Sequence, residues 1–179
     1  MAWVAHVSNK SGSMTQSEME QNATEIYNQL GGYGWTLNAI CAVLGNMQQE
    51  STINPGLWQS LKEYNYSGGF GLVQWTPATK YTNWAVANGY AIDDGTGQMY
   101  WIDQLAESTG EWIKTSAYNL TWEQFKVSTE TPEYLCSAFL KNFERAGVEV
   151  EETRKEYARK WYDFLSKQTG VYIVKFVPS

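Results

Sequence analysis

The 179-residue chain has one histidine, two cysteines and four prolines, and only 18% of its residues are charged. Each scarcity removes a class of function. A Ser–His–Asp triad or a multi-histidine metal site would depend on His6 alone, so neither is expected. Cys41 and Cys136 lack metal-ligand spacing, and each falls in a helix-like apolar pattern. They read as buried thiols, with a disulfide between them left open. Lys and Arg number 13 against 19 Asp and Glu, a net charge of −6, and no basic cluster is present. Binding nucleic acid requires cations to neutralise phosphate, so that partner is not expected. No stretch approaches the roughly 18 apolar residues of a membrane span. Residues 1–7 lack the basic and apolar regions of a signal peptide, so delivery to the outside of a cell must come from elsewhere. Gly68-Gly69-Phe70-Gly71 lacks the Lys and Ser/Thr of a phosphate loop. No metal or organic cofactor is expected.

Aromatic residues, in contrast, are abundant at 15%, with nine Trp and twelve Tyr. Flat amphipathic rings on a weakly charged chain suit stacking against a neutral polymer such as a polysaccharide. A large core uses the same residues, so composition leaves both readings open. The length predicts one domain, with roughly 70% of the unfolded surface buried and no need for a staple.

The pattern predicts an α+β, mainly helical domain over 14–168. Before it come a strand, Trp3 to Val7, and a polar linker to residue 13; after it comes a strand, Val171 to Val177, within 169–179. The N-terminal strand is expected to pair with the C-terminal one, or the latter to lead into a further domain. Thr15 or Ser17, each followed three residues later by Glu, starts a helix that stops at Gly31-Gly32. Thr36 caps a second helix with Leu37, Ile40, Cys41, Leu44 and Met47 at helical spacing, ending at Glu50. The Tyr-, Gly- and Phe-rich segment 64–75 reads as a small β-hairpin turning at Gly68-Gly69. Thr76-Pro77 opens a third helix with Pro at its first position. Further helices are expected at about 97–108, after Thr121, from Thr131-Pro132 to Gly147, and over 151–167, the last burying Tyr157, Trp161, Phe164 and Leu165.

The most informative absence is local. Between residues 26 and 79 the only formal charges are Glu50, Lys62 and Glu63. Glu50 therefore ends an uncharged helix with no cation nearby in sequence. Asn46 and Val43 lie four and seven residues before it, small enough to leave room for a ligand. A desolvated carboxyl of this kind titrates high and suits a general acid. An exposed Glu at a helix end meets the same pattern, although its charge opposes the helix dipole. Around it stand Trp58, Tyr64, Tyr66, Phe70, Trp75 and Gln74, whose amide suits sugar hydroxyl or acetamido groups. An acid in an uncharged, aromatic-rich cleft is the arrangement that cleaves glycosidic bonds.

Gly45-Asn46-Met47-Gln48-Gln49-Glu50-Ser51-Thr52-Ile53-Asn54-Pro55, then Gly71-Leu72-Val73-Gln74-Trp75-Thr76-Pro77, then Phe143-Glu144-Arg145-Ala146-Gly147 together resemble the phage tail lysozyme family. The likeness runs from about residue 14 to 168. More distantly, the Glu-Ser, Asn-Pro and Gly-Leu-x-Gln elements are similar to those of soluble lytic transglycosylases and goose-type lysozymes. The resemblance implies a lysozyme-like fold, with the β-hairpin beside the active-site cleft. It implies a muramidase cutting the β-1,4 link between N-acetylmuramic acid and N-acetylglucosamine in peptidoglycan glycan strands, with Glu50 as the acid. It also implies a place in a virion tail among other tail proteins, acting outside the host on its cell wall. Ser51, Trp58, Tyr64, Phe70, Gln74 and Trp75 are the expected substrate-binding residues. Glu144, in the third motif, is the first candidate for a second carboxylate, ahead of Asp93 and Asp94, which read as a turn. Ala117-Tyr118-Asn119 is followed by Leu120, unlike the small residue transglycosylases carry there. A lytic transglycosylase using the same Glu50, or a non-catalytic wall-binding or structural tail module, are the alternatives.

Overall fold

Side-chain caps set where most of the helices begin. Thr15 accepts from the Glu18 amide while the Glu18 carboxylate accepts from the Thr15 amide, starting α1 (Gln16–Gly32). Thr36 caps α2 (Leu37–Ser51) through the Ala39 amide. Asp94 caps α4 (Gly95–Leu105), Thr121 caps α5 (Trp122–Lys126) and Thr131 caps α6 (Pro132–Phe139). Each such bond satisfies a helix-end amide and is worth about 1 kcal/mol. The exception is α3 (Thr79–Ala87), which starts two residues beyond Pro77 without a side-chain cap. The Ala78 amide donates to Gly68 O, so the chain is still pinned to the preceding loop where a helix was expected. The last helix is α7 (Glu151–Thr169). The computed structural model describes residues 2–7, 13–145 and 150–169; the expected strand Val171 to Val177 lies outside the described residues.

The middle helix, α2, is enclosed. Every residue from Ala39 to Met47 is buried, with α7, α6 and α1 packed against it. Gly45 is required where α2 meets α7, because a Cβ there would lie 2.5 Å from Arg154 O and 2.8 Å from Ala158 N. The buried stripe of α7 is Arg154, Ala158, Trp161 and Leu165, whereas Tyr157 and Phe164 are only half-buried. Seven of the nine tryptophans are buried, which settles much of the compositional ambiguity in favour of core packing. Trp122 stacks on Phe125 at 5.3 Å and Phe139 on Phe143 at 4.5 Å, contacts worth about 0.5–1.5 kcal/mol each beyond burial. Cys41 and Cys136 are free and buried, and burial pushes the Cys136 thiol up to about 12.

Side-chain bonding replaces much of the expected β-structure. Among the described residues Trp3 to Val7 pair with no strand, their expected partner 171–177 lying outside the described residues, and side-chain amides bond their backbone. The Val4 amide donates to Asn22 Oδ1 and Asn22 Nδ2 returns to Val4 O, and Asn54 does the same for His6, at 2.8–3.0 Å throughout. The 64–75 hairpin is reduced to isolated antiparallel bridges, Trp58 with Phe70 and Phe70 with Trp75. Its turn is at Gly71–Gln74, not Gly68-Gly69, because Phe70 and Trp75 exchange both amide bonds across those four residues. The α+β expectation thus becomes an essentially helical fold with one bridged loop among the described residues.

Candidate active site

Glu50 lies in the last turn of α2. The helix ends one residue later, where Thr52 and Ile53 both adopt left-handed backbone, at φ 53° and 56°. A β-branched residue is strained there. Ile53 is held by complete burial and by its amide bond to Met47 O. Ser51 Oγ donates to Met47 O and Leu72 O, tying the helix end to the Gly71–Gln74 turn.

The lone carboxyl of the sequence has a partner. Arg154 reaches from α7, 104 residues away, and its Nη2 lies 2.5 Å from Glu50 Oε1. Its Nη1 donates to Asn46 Oδ1 at 3.1 Å, and Asn46 Nδ2 donates to Ala42 O and Cys136 O. Asn46 and Val43 therefore leave no room for a ligand: both are fully buried, and Asn46 is the hinge of a bonded network joining α2, α6 and α7. The premise of an uncompensated Glu50 is overturned, because helix packing supplies a cation that sequence distance concealed.

Glu144 arrives from the other side. After α6 the chain continues as a π-helical turn, Leu140–Glu144, and Arg145 leaves it at φ 53°. Glu144 Oε1 is buried and accepts no hydrogen bond among the described residues. Burial first, and then the negative charge of Glu50, push the Glu144 carboxyl well above the usual carboxylate range. Glu111 adds to this, while Arg154 and Arg145 oppose it. The perturbed acid is thus Glu144. Glu111, buried in the loop after α4, pairs with Lys80 Nζ at 2.5 Å and faces Arg145 Nη2 at 3.6 Å.

Glu50, Glu111, Glu144, Lys80 and Arg145 line one cleft of about 540 Å³. Residues 57–61 and 73–76 supply the rest of its lining with Phe143. Trp58 and Trp75 line it too, but each is only 2% exposed, so they floor the cleft and offer no open ring face. Trp75 stacks on Tyr81 at 4.6 Å, and its Nε1 is buried without a partner among the described residues. Gln74, at φ 52°, lines the cleft while its Nε2 donates to Leu57 O and Gly71 O. Three expected binding residues lie elsewhere. Ser51 is buried at the helix end, Phe70 is buried behind Trp58, and Tyr64 is exposed on the outer side of Trp58. Phe70, Tyr64 and Asp93 border a separate hollow of about 270 Å³. Asp94 is the α4 cap, and the Ala117-Tyr118-Asn119 loop does not reach the cleft. Among the described residues no three His, Cys, Asp or Glu side chains group as metal ligands do.

Sequence reasoning missed Arg154, Glu111 and Lys80. For Arg154 a signal existed, since it continues the spacing of Ala158, Trp161 and Leu165 on the buried stripe of α7, where an arginine demands a partner. Glu111 and Lys80 carry no such signal. It also missed Gln98, fully buried in α4, whose side chain accepts from the Leu72 amide and donates to Pro55 O and Ile92 O. Gln98 thereby holds the cleft wall from behind, and Gly71, at φ 81°, approaches it so closely that a Cβ would meet Gln98 Oε1 at 2.8 Å.

Comparison with known proteins gives the family. Residues 21–165 match the family model described as phage tail lysozyme. Morphogenesis protein 1 of Bacillus phage B103 is 43% identical over 169 residues, covering 93% of this chain and 46% of that protein. The chain therefore spans about half the length of the curated relative it matches.

Proposed function

Because the chain belongs to the phage tail lysozyme family, we propose that it is a peptidoglycan glycosidase. It is a muramidase that hydrolyses the β-1,4 bond between N-acetylmuramic acid and N-acetylglucosamine, with Glu50 and Glu144 as the reacting cleft's two carboxyls. The observation that carries this reading is their convergence. A carboxyl from the end of α2 and one from the π-helical turn line a single cleft, one ion-paired to Arg154 and the other desolvated. Contrasting environments for two carboxyls are what glycoside cleavage requires: one group delivers a proton to the leaving oxygen, and the other supports the oxocarbenium-like state. Glu50 is the acid in contact with the glycosidic oxygen. Gln74, Trp58 and Trp75 shape the sugar-binding wall, whereas Ser51 and Phe70 support that wall from behind. The protein acts from a virion tail, beside other tail proteins, to open the wall locally during infection.

The test is mass spectrometry of soluble products after incubation with Gram-positive sacculi, with Glu50→Gln in parallel. Reducible muropeptides from the wild type alone are expected, with the variant down by about 10²–10⁴, the usual contribution of a general acid. Anhydro-muropeptides would make the protein a lytic transglycosylase instead, and no products from either would make it a binding or structural module.

A further inference from the structure

The glycosidase reading leaves open where the needed proton rests, and the inference that follows depends on that reading. In the ion pair with Arg154, Glu50 is the anionic partner and has no proton to give. Arg154 is 5% exposed, so this is a guanidinium committed to the interior. Its Nη1 and Nη2 are used, yet its Nε is buried with no acceptor among the described residues. Glu144 Oε1 presents the complement, a buried acceptor with no donor. A carboxylate oxygen in that position forfeits its solvation without replacement, whereas the neutral acid does not. One guanidinium therefore acts on two carboxyls, bonded to the first and opposing the neutrality of the second.

We propose that Glu50, Glu144 and Arg154 share one transferable proton, stored on Glu144 in the free protein and passed to Glu50 as Arg154 moves its ion pair from Glu50 to Glu144. The O–H bond of Glu144 breaks and one forms on Glu50. The three groups sum to zero charge before and after, so no net charge is created in the cleft. Glu50, now neutral, protonates the glycosidic oxygen. Glu144, now the anion, is the carboxylate left to support the oxocarbenium-like state, so it both stores the proton and serves as the second carboxyl.

The surroundings favour this order. Glu50 faces Glu144 from α2, Arg154 from α7, and Glu111 from the loop after α4, while Arg145 follows it in the chain. Glu111 already carries Lys80, and Arg145 donates to Gly110 O and Glu111 O. Arg154 is thus the cation positioned to answer a charge that moves from one carboxyl to the other. Glu50 keeps 21% of its side chain exposed, so a neutral glycan settling over it removes solvation from Glu50 more than from the already buried Glu144 oxygen. Covering by substrate therefore tips the proton toward Glu50.

Two measurements test this. The first is infrared difference spectroscopy at neutral pH on wild type, Glu50→Gln and Glu144→Gln. A protonated-carboxyl band present in wild type and lost in Glu144→Gln is expected, weakened in Glu50→Gln because removing the Glu50 charge frees Arg154 to act on Glu144. Its absence from wild type, or its persistence in Glu144→Gln, overturns the storage. The second is the pH dependence of kcat and KM for Glu144→Gln and for Glu144→Gln combined with Arg154→Gln. Glu144→Gln should lose about 10² in kcat at neutral pH with little change in KM, and its alkaline limb should move to lower pH. Removing Arg154 as well should return that limb upward, restoring kcat about tenfold for each pK unit regained. A uniform loss of kcat with an unmoved limb is what a structural Glu144 gives, and it overturns the transfer. If the wild type releases no new chain ends, the glycosidase reading and the transfer fall together, while the band still reports where the proton rests.

Discussion

α2 and the segment 52–76 meet at Glu50, yet they are held by different forces. In α2, nine consecutive residues, Ala39 to Met47, are buried against neighbouring helices, and the backbone is regular throughout. In the segment that follows, Thr52, Ile53, Ser60, Leu61, Tyr64 and Gln74 all take left-handed backbone without being glycine. Such residues cost about 1–2 kcal/mol apiece. They are restrained by specific polar bonds: Ser51 to Leu72 O, Gln59 Oε1 from the Gly69 amide, and Gln98 to Leu72, Pro55 and Ile92. The lesson is a division of labour. Helix packing places the carboxyls on a rigid frame, and a strained, hydrogen-bonded loop shapes the cleft they face.

That contrast can be broken in order of effect. Leu44→Ala, in the enclosed helix, should cost about 2–5 kcal/mol of global stability in a denaturant titration, because the frame cannot collapse around the cavity. Gln98→Ala should cost less, about 1–3 kcal/mol, since it orphans loop groups and leaves helix packing intact. Its signature is regional. Amide exchange should accelerate through the Pro55–Leu72 wall while α2 keeps its protection, and KM should rise.

Glu144→Gln sharpens the comparison through pH. The folded state raises this carboxyl above its unfolded value of roughly 4.3, so the native state is the one that holds the proton. Its stability contribution is complete below the unfolded value and is lost as pH rises toward the folded one. Glu144→Gln should therefore melt higher than wild type at neutral pH, with the gain shrinking to nothing near pH 4 while activity falls. An equal shift at both pH values would show that burial of charge is not the cause. The smallest effect belongs to Leu61→Gly, at φ 56° and 48% exposed. Relief of strain should offset the added unfolded-state entropy, leaving a change within about 1 kcal/mol, in contrast to Leu44.

The same contrast explains what was legible beforehand. The caps Thr15, Thr36, Thr121 and Thr131 and the apolar spacing of α2 are local signals, and the structure follows them. The Gly and aromatic content of segment 64–75 indicates a turn without indicating what holds it, so only isolated antiparallel bridges stand where a hairpin is expected. The holding groups are Gln98 and Ser51, which are distant in sequence or unremarkable in type. The bonding of residues 4 and 6 was hidden for a related reason: Asn22 and Asn54 supply it from their side chains, and isolated asparagines do not announce that role. Of the site, Glu50, Glu144, Gln74, Trp58 and Trp75 do line one cleft, while Ser51, Phe70 and Tyr64 serve beside it.

By itself the sequence determined the capped helices, the enclosed character of α2 and the position of Glu50 at a helix end, because capping and periodicity act over a few residues, while its three motifs carried the likeness to the family. Tertiary structure alone decided the electrostatics. Arg154 reaches Glu50 from 104 residues away, and Glu144 is buried beside both. Charges interact through space with a strength set by distance and local burial, and neither quantity is written in the order of residues along the chain.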